Sequence, residues 1–351
     1  MRKSFVLSLA LVFVMAVSAL GFSGHEMWKL QLDSPITSGI TVSGGTVFFG
    51  TETGKIFAVN AKSGQVAWEY KADNTIYGVP AVTGDTVIFA QGSGELLAFK
   101  ATAGGLVWTS GGEGGKDLHG RDVNDGLSDG ASTGGGLVYV SKADRKVHAF
   151  STKDGKAAWT YATSDQGVRA APLYHDGIVF IGEYDGTFSM VDAKTGKRLN
   201  GGGAGGAVNT PTVNGGNVYF SAWDGSVNCV KINGVEPLWH VNVHDTITTQ
   251  PEISAGKIVV GTGSGAVIAL DEKTGRTLWR FNTNSGSILA KPVIGDGVVI
   301  AGAETGSVCV LNLNTGRQAG TLTDATGLSA TPAFSDGVFY FGSGKTLYAF
   351  Q

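Results

Sequence analysis

Short apolar runs recur along the chain between glycine-containing turns. One copy runs from Val47 to Thr51, turns at Glu52-Thr53-Gly54, continues from Ile56 to Asn60, turns again at Lys62-Ser63-Gly64, and ends at Val66-Ala67-Trp68. A second copy follows the same order: Ile258 to Thr262, Gly263-Ser264-Gly265, Val267 to Asp271, Lys273-Thr274-Gly275, then Thr277-Leu278-Trp279. Runs of about five apolar and β-branched residues bounded by glycine turns predict antiparallel strands. No segment sustains a helical period.

The copies keep a common spacing. Tryptophans at 28, 68, 108, 159, 239 and 279 are separated by 40, 40, 51, 80 and 40 residues. The gap of 80 holds a copy that ends at Asn200, and a further copy ends at Gly320; neither has the tryptophan. A strand that often carries proline precedes each copy, at Pro80, Pro172, Pro211, Pro251, Pro292 and Pro332. The strand-pair unit starts at Val47, Val87, Val138, Val179, Val218, Ile258, Val298 and Val338. The last copy stops at Phe350 without a fourth strand, whereas Glu26 to Leu32 is a fourth strand without the first three. The surplus at one end matches the deficit at the other. The expected fold is all-β: an eight-bladed β-propeller of four-stranded antiparallel blades, closed by the N-terminal strand and forming a single domain over 25–351. Closure removes edges that would otherwise pair with other chains.

Residues 1–24 form a separate object. Arg2 and Lys3 precede an apolar run from Phe5 to Leu20 that only Ser8 and Ser18 interrupt. Val17-Ser18-Ala19 fits a signal-peptidase site, and Gly21 to Gly24 offers others, so a cleaved secretory leader is expected. The run is short for a membrane span of about 20 residues, and the mature chain is expected to be periplasmic or secreted, without a stable membrane span, and monomeric. Glycine, at 55 of 351 residues, fits many tight turns. The net charge of −3 speaks against nucleic acid as a partner. Only Cys229 and Cys309 are present; the register puts them on third strands with a whole blade between, too far apart to bridge, and they read as small buried apolar residues.

The string Ala58-Val59-Asn60-Ala61-Lys62-Ser63-Gly64-Gln65-Val66-Ala67-Trp68 resembles the tryptophan-docking motif of pyrroloquinoline-quinone-type propeller repeats, Ala-x-Asp/Asn-x-x-Ser/Thr-Gly-x-x-x-Trp. Ala269 to Trp279 is similar, with Asp271, Thr274 and Gly275; Ala98–Trp108 and Ala149–Trp159 are looser, with Lys100 and Ser151 in the acidic slot. The resemblance implies that Trp28, Trp68, Trp108, Trp159, Trp239 and Trp279 stack on the next repeat's glycine turn and tie blades together. It also implies one of two function classes. Quinoprotein dehydrogenases bind the quinone with Ca²⁺ over the propeller axis, but have much longer propellers and in several cases a pair of adjacent cysteines, which this sequence lacks. The compact class includes the propeller lipoprotein of the outer-membrane β-barrel assembly machine, a scaffold; this chain has the compact build without a lipid-bearing cysteine.

In a propeller the turns between second and third strands share one face with the interblade connections. That face is richer in acidic than in basic residues, which suits a cation or a basic partner. It also carries the extra residues behind the 51-residue spacing, an insertion within 110–130 that includes His119, Arg121, Asp122, Asn124 and Asp129. Loops that depart from a rigid repeat concentrate function. His119 and Arg121 are contact candidates there, while Asp122, Asn124 and Asp129 only weakly resemble a Ca²⁺ loop, one residue short in register and without the closing Glu. Trp223, the seventh tryptophan, lies outside the docking register in the turn Ala222-Trp223-Asp224-Gly225, and Tyr184 holds the same place in Glu183-Tyr184-Asp185-Gly186. Exposed aromatics at neighbouring turns suggest a binding patch comprising Tyr184, Asp185, Trp223 and Asp224. Arg169, beside the start of an innermost strand, is a candidate for anion contact at the axial channel. His240, Asn242 and His244 share one face of an outer strand but lack a third strong metal ligand. No nucleophile elbow, paired-carboxylate pattern or phosphate loop occurs, and Gly201 to Gly206 precedes no helix and so is no dinucleotide fingerprint.

These observations lead to a secreted, non-catalytic scaffold without a cofactor. It would bind a protein partner through the insertion face, in envelope or outer-membrane protein assembly. The alternative is a quinone-dependent oxidoreductase using pyrroloquinoline quinone and calcium; a hydrolase or lyase is disfavoured by the missing catalytic constellation.

Overall fold

The computed structural model describes residues 22–110, 127–168, 170–232, 236–322, 327–328 and 330–351; the side chains of 127–129 are outside this set. The leader through Gly21, most of the insertion, and Arg169 therefore lie outside the described residues. All regular structure in the described set is strand, with no helix, so none is long and apolar enough to cross a membrane.

The strands form seven hydrogen-bonded sheets. Five four-stranded sheets span 41–71, 173–203, 212–242, 252–282 and 293–321, and a sixth joins the strand Glu26–Gln31 to three strands between Ala333 and Phe350. The seventh has eight strands, because one parallel bridge, Gly130 to Val79, links two four-stranded sets within 76–162. All other pairings between the strands are antiparallel and follow chain order, except at the termini. There Trp28 faces Ala349 and Gln31 faces Thr346.

Turn chemistry explains why the strands stop where they do. First and second strands are joined by two-residue turns, most with positive φ at both central positions, as at Gly44-Gly45, Gly215-Gly216, Asp296-Gly297 and Asp336-Gly337. Such turns match strand twist and favour Gly and Asp. Of the six prolines that precede the repeats, five fall just before a short innermost strand, where no ladder donor is lost; Pro80 lies within its strand, Ile76–Thr83.

Middle strands carry the core. Val47, Phe48, Phe49 and Ile56 are buried, as are Val259, Val260, Val267 and Ile268. Both faces of these strands are covered, so they read as continuous apolar runs rather than alternating ones. The apolar clusters lie between successive sheets. Phe48 and Ile56 pack with Phe89 and Leu97, and Phe180 and Phe188 with Phe220 and Val230. Val47 and Val59 pack with Tyr340 and Leu347, joining the last sheet to the first. The chain is a β-propeller.

Candidate functional site

The turn between third and fourth strands is built around one acceptor. Asn60 Oδ1 accepts from the backbone amides of Lys62 and Ser63 and from the Ser63 hydroxyl. Asp271 does the same for the amide and hydroxyl of Thr274, which hold its carboxyl below the usual carboxylate range. Where Lys100 takes this place, Asp85 of a neighbouring turn accepts from the Thr102 amide and hydroxyl instead. The next residue of consequence is a glycine with left-handed φ, such as Gly64 at 69°. A Cβ there would lie 2.7 Å from Trp28 of the preceding sheet, and the indole Nε1 donates to Ala61 O at 2.9 Å. Trp68, Trp108, Trp159, Trp239 and Trp279 make the same donation to Ala101, Thr152, Ala193, Glu272 and Leu313. These six side chains are committed to contacts between sheets.

Trp223 is not. It stands in the turn between the second and third strands of the 212–242 sheet and is 41% exposed. Its ring meets Tyr184, from the equivalent turn of the 173–203 sheet, edge to face at 5.9 Å between centroids. The pair spans a boundary at which Asn200 replaces the docking tryptophan. Each turn is held by its own aspartate. Asp185 Oδ1 accepts from the Thr187 amide; Asp224 accepts from the amides of Ser226 and, across the boundary, Gly205. Burial opposes ionisation of Asp224, but the hydrogen bonds from Ser226 and Gly205 outweigh it and leave the carboxyl below its usual range. Both acids are thus negatively charged beside an exposed aromatic edge, an arrangement suited to basic or amide-rich protein surface.

Beside Tyr184, whose amide donates to Gly167 O, lies a shallow cavity of about 410 Å³ lined by Asp144, Arg145, Lys146, Thr163, Ser164 and Asp165. Arg145 has φ of 63°, at the turn position that six other copies of the repeat fill with Gly54, Gly94, Gly186, Gly225, Gly265 and Gly306. Left-handed geometry on a bulky residue is strained and collects at functional positions. Sequence reasoning overlooked Arg145, although the substitution of glycine in that one turn was visible in the alignment of repeats. It also overlooked Glu183, a buried carboxylate that accepts from Ser164 N at 2.6 Å and from Ser189 Oγ, which in turn receives Tyr161.

The remaining candidates divide. His119, Arg121, Asp122, Asn124 and Arg169 lie outside the described residues, as does the Asp129 side chain. His240 is tied to Asn228 Oδ1, and among the described residues no group of three or more His, Cys, Asp or Glu is placed to hold a metal ion. Cys229 and Cys309 are buried, unbridged and in different sheets; burial pushes the Cys229 thiol up to about 11.

A family model described as outer membrane protein assembly factor BamB matches residues 14–123, 98–199, 133–244 and 223–351. The chain belongs to this family. The crystal structure of BamB from Moraxella catarrhalis is similar, with a TM-score of 0.78 at 20% identity over 93% of this chain and 99% of that one. A computationally designed protein, Ika8, is similar too, with a TM-score of 0.76 at 18% identity, covering 93% of this chain and 99% of the design. Among curated proteins, the quinohemoprotein alcohol dehydrogenase of Comamonas testosteroni is 28% identical over 163 residues, 39% of this chain and 23% of that enzyme. This chain thus spans about a quarter of the length of that relative. A membership that embraces an assembly factor, with structural likeness to a design and local likeness to a dehydrogenase, transmits the repeat and leaves function to the site.

Proposed function

We propose that the chain is a closed ring of eight four-stranded blades, the eight-stranded sheet counting as two, that works outside the cytoplasm as a non-catalytic scaffold for protein partners in envelope or outer-membrane protein assembly. The family match along 14–351 is the observation that carries this reading. Pairing of Glu26–Gln31 with Thr346–Phe350, and the apolar cluster shared by the last and first sheets, support the closed ring. The partner surface is the face bearing Tyr184, Asp185, Trp223 and Asp224; His119 and Arg121 of the insertion, outside the described residues, are its further contact candidates from the sequence. Rotational symmetry is broken on this face, whereas equivalent turns such as Gly263-Ser264-Gly265 remain small.

The test compares partners captured from a native envelope extract by wild type, Trp223→Ala and a variant trimmed between 114 and 125. Both variants should lose recovery while stability stays within about 1 kcal/mol, as for exposed positions. Equal recovery from all three would move the site elsewhere.

The local likeness to quinohemoprotein dehydrogenases favours a second reading, an oxidoreductase using pyrroloquinoline quinone with calcium. The residues present fit that group poorly. The two cysteines are eighty positions apart and buried in different clusters, and the described acids form no cation-holding group. Titration with the quinone and Ca²⁺, followed by absorbance and alcohol-dependent dye reduction, separates the readings: quinone uptake with turnover would replace the scaffold.

A further inference from the structure

Phe22 precedes the first strand and lies within the stretch assigned to the leader, yet it is 2% exposed. It belongs to the apolar cluster that contains Val310, Leu322, Leu328, Phe339 and Phe350, and its ring meets Phe339 edge to face at 5.3 Å. This cluster joins the 293–321 sheet to the last one. Gly320 stands there in place of a docking tryptophan, and a Cβ on it would meet nothing within 4 Å. The last sheet also lacks the usual turn after its third strand. Instead the two termini meet: His25 N donates to Gln351 O at 3.0 Å, Gln351 N to His25 O at 2.9 Å, and the Ser23 hydroxyl to Gln351 O. Phe22 adds a buried ring to this boundary, where the docking indole is missing.

We propose that the leader is cut on the N-terminal side of Phe22, after Ala19 or Gly21, and that Phe22 is retained as the anchor of ring closure. The proposal rests on residues 1–24 containing a cleaved leader, and it shortens that leader. Signal peptidase requires small residues one and three positions before the cut. A cut after Gly21 presents Gly21 and Ala19, both small; one after Ala19 presents Ala19 with the aliphatic Val17; one after Ser23 also presents two small residues, Ser23 and Gly21, so it is the burial of Phe22 that separates the first two from the third. A cut after Gly24 would put the bulky Phe22 three positions before the scissile bond, and would then discard a core side chain and leave a cavity beside Phe339.

The experiment is N-terminal sequencing and intact mass of the full-length protein after export from a bacterial host. A mature chain starting at Leu20 or Phe22 supports the proposal. One starting at Ser23 or later overturns it while leaving the leader intact as a reading; a chain still starting at Met1 overturns both. In the same mature protein, Phe22→Ala should lower the melting temperature by several degrees and Phe22→Leu should restore most of the loss. Unchanged melting of Phe22→Ala would remove the anchoring role.

Discussion

Asp245 shows how a single acid acts in this protein. It sits in the connection between two sheets, 11% exposed, and receives Arg280 Nη2 at 2.5 Å and the Ser264 hydroxyl. Burial opposes its ionisation, but hydrogen bonds from Ser264, Thr262 and Arg280 and the guanidinium charge hold its pKa below the ordinary 3.8. A depressed folded value means the ionised group stabilises the fold above the ordinary value, and that contribution is lost as the pH falls through the folded one. Asp245→Asn should therefore cost on the order of 1 kcal/mol near neutral pH, discounted for the part-exposed arginine. Wild type and variant should converge as the pH falls through the lowered folded value of Asp245, which denaturant titration at several acidic pH values would show. The cysteines make an opposite case. With its thiol pushed up to about 11 and enclosed in the core, Cys229 should resist a thiol reagent in the native state and react only after unfolding. Stoichiometric labelling without denaturant would contradict that placement.

The strand-and-turn unit explains the repeated motif in physical terms. An acceptor at the Asn60 or Asp271 place ties the turn, glycine supplies the left-handed φ, and its missing Cβ gives the indole of the preceding sheet somewhere to lie. Trp279 is a well-covered example: it is buried and donates to Leu313 O at 2.9 Å over Gly316. Trp279→Ala should cost about 3–5 kcal/mol, the range for truncating a buried aromatic. Gly316→Ala should also destabilise, because the new Cβ would lie 2.6 Å from Trp279 Cδ2 and the backbone has φ of 68°. Thermal melting of both variants checks the two claims together. If Trp279→Ala alone were harmful, the tight glycine contact would be immaterial.

At the scale of the whole molecule, the last sheet depends on sequence-distant partners. The strand Glu26–Gln31 completes a sheet whose other members lie beyond Ala333, so no local preference can stabilise it. A chain beginning after Leu32 would lose those backbone bonds and expose the edge Thr346–Phe350. Aggregation, or a loss of several kcal/mol, is expected. Light scattering and melting of that truncated protein measure the outcome; a monomer with unchanged melting would refute closure by the N-terminal strand. Two boundaries, at Asn200 and Gly320, lack the docking indole. The Tyr184–Trp223 contact and Phe22 stand at those same boundaries, one on the turn face and one in the core.

Local chemistry made the strands, turns and repeat length legible in the chain alone. Glycine and aspartate at turn positions, apolar middle strands and the spaced tryptophans each record a nearest-neighbour requirement, and such requirements repeat with the unit. What the linear pattern left open involves contacts between distant segments. Phe22 looks like part of an apolar leader until Phe339 and Phe350 are brought beside it. Glu183 reads as a surface turn acid until Ser164 and Ser189 enclose it, and Tyr184 and Trp223 become a pair only because adjacent sheets stack in register. Burial and pairing of this kind arise from three-dimensional proximity, for which a one-dimensional period carries no term.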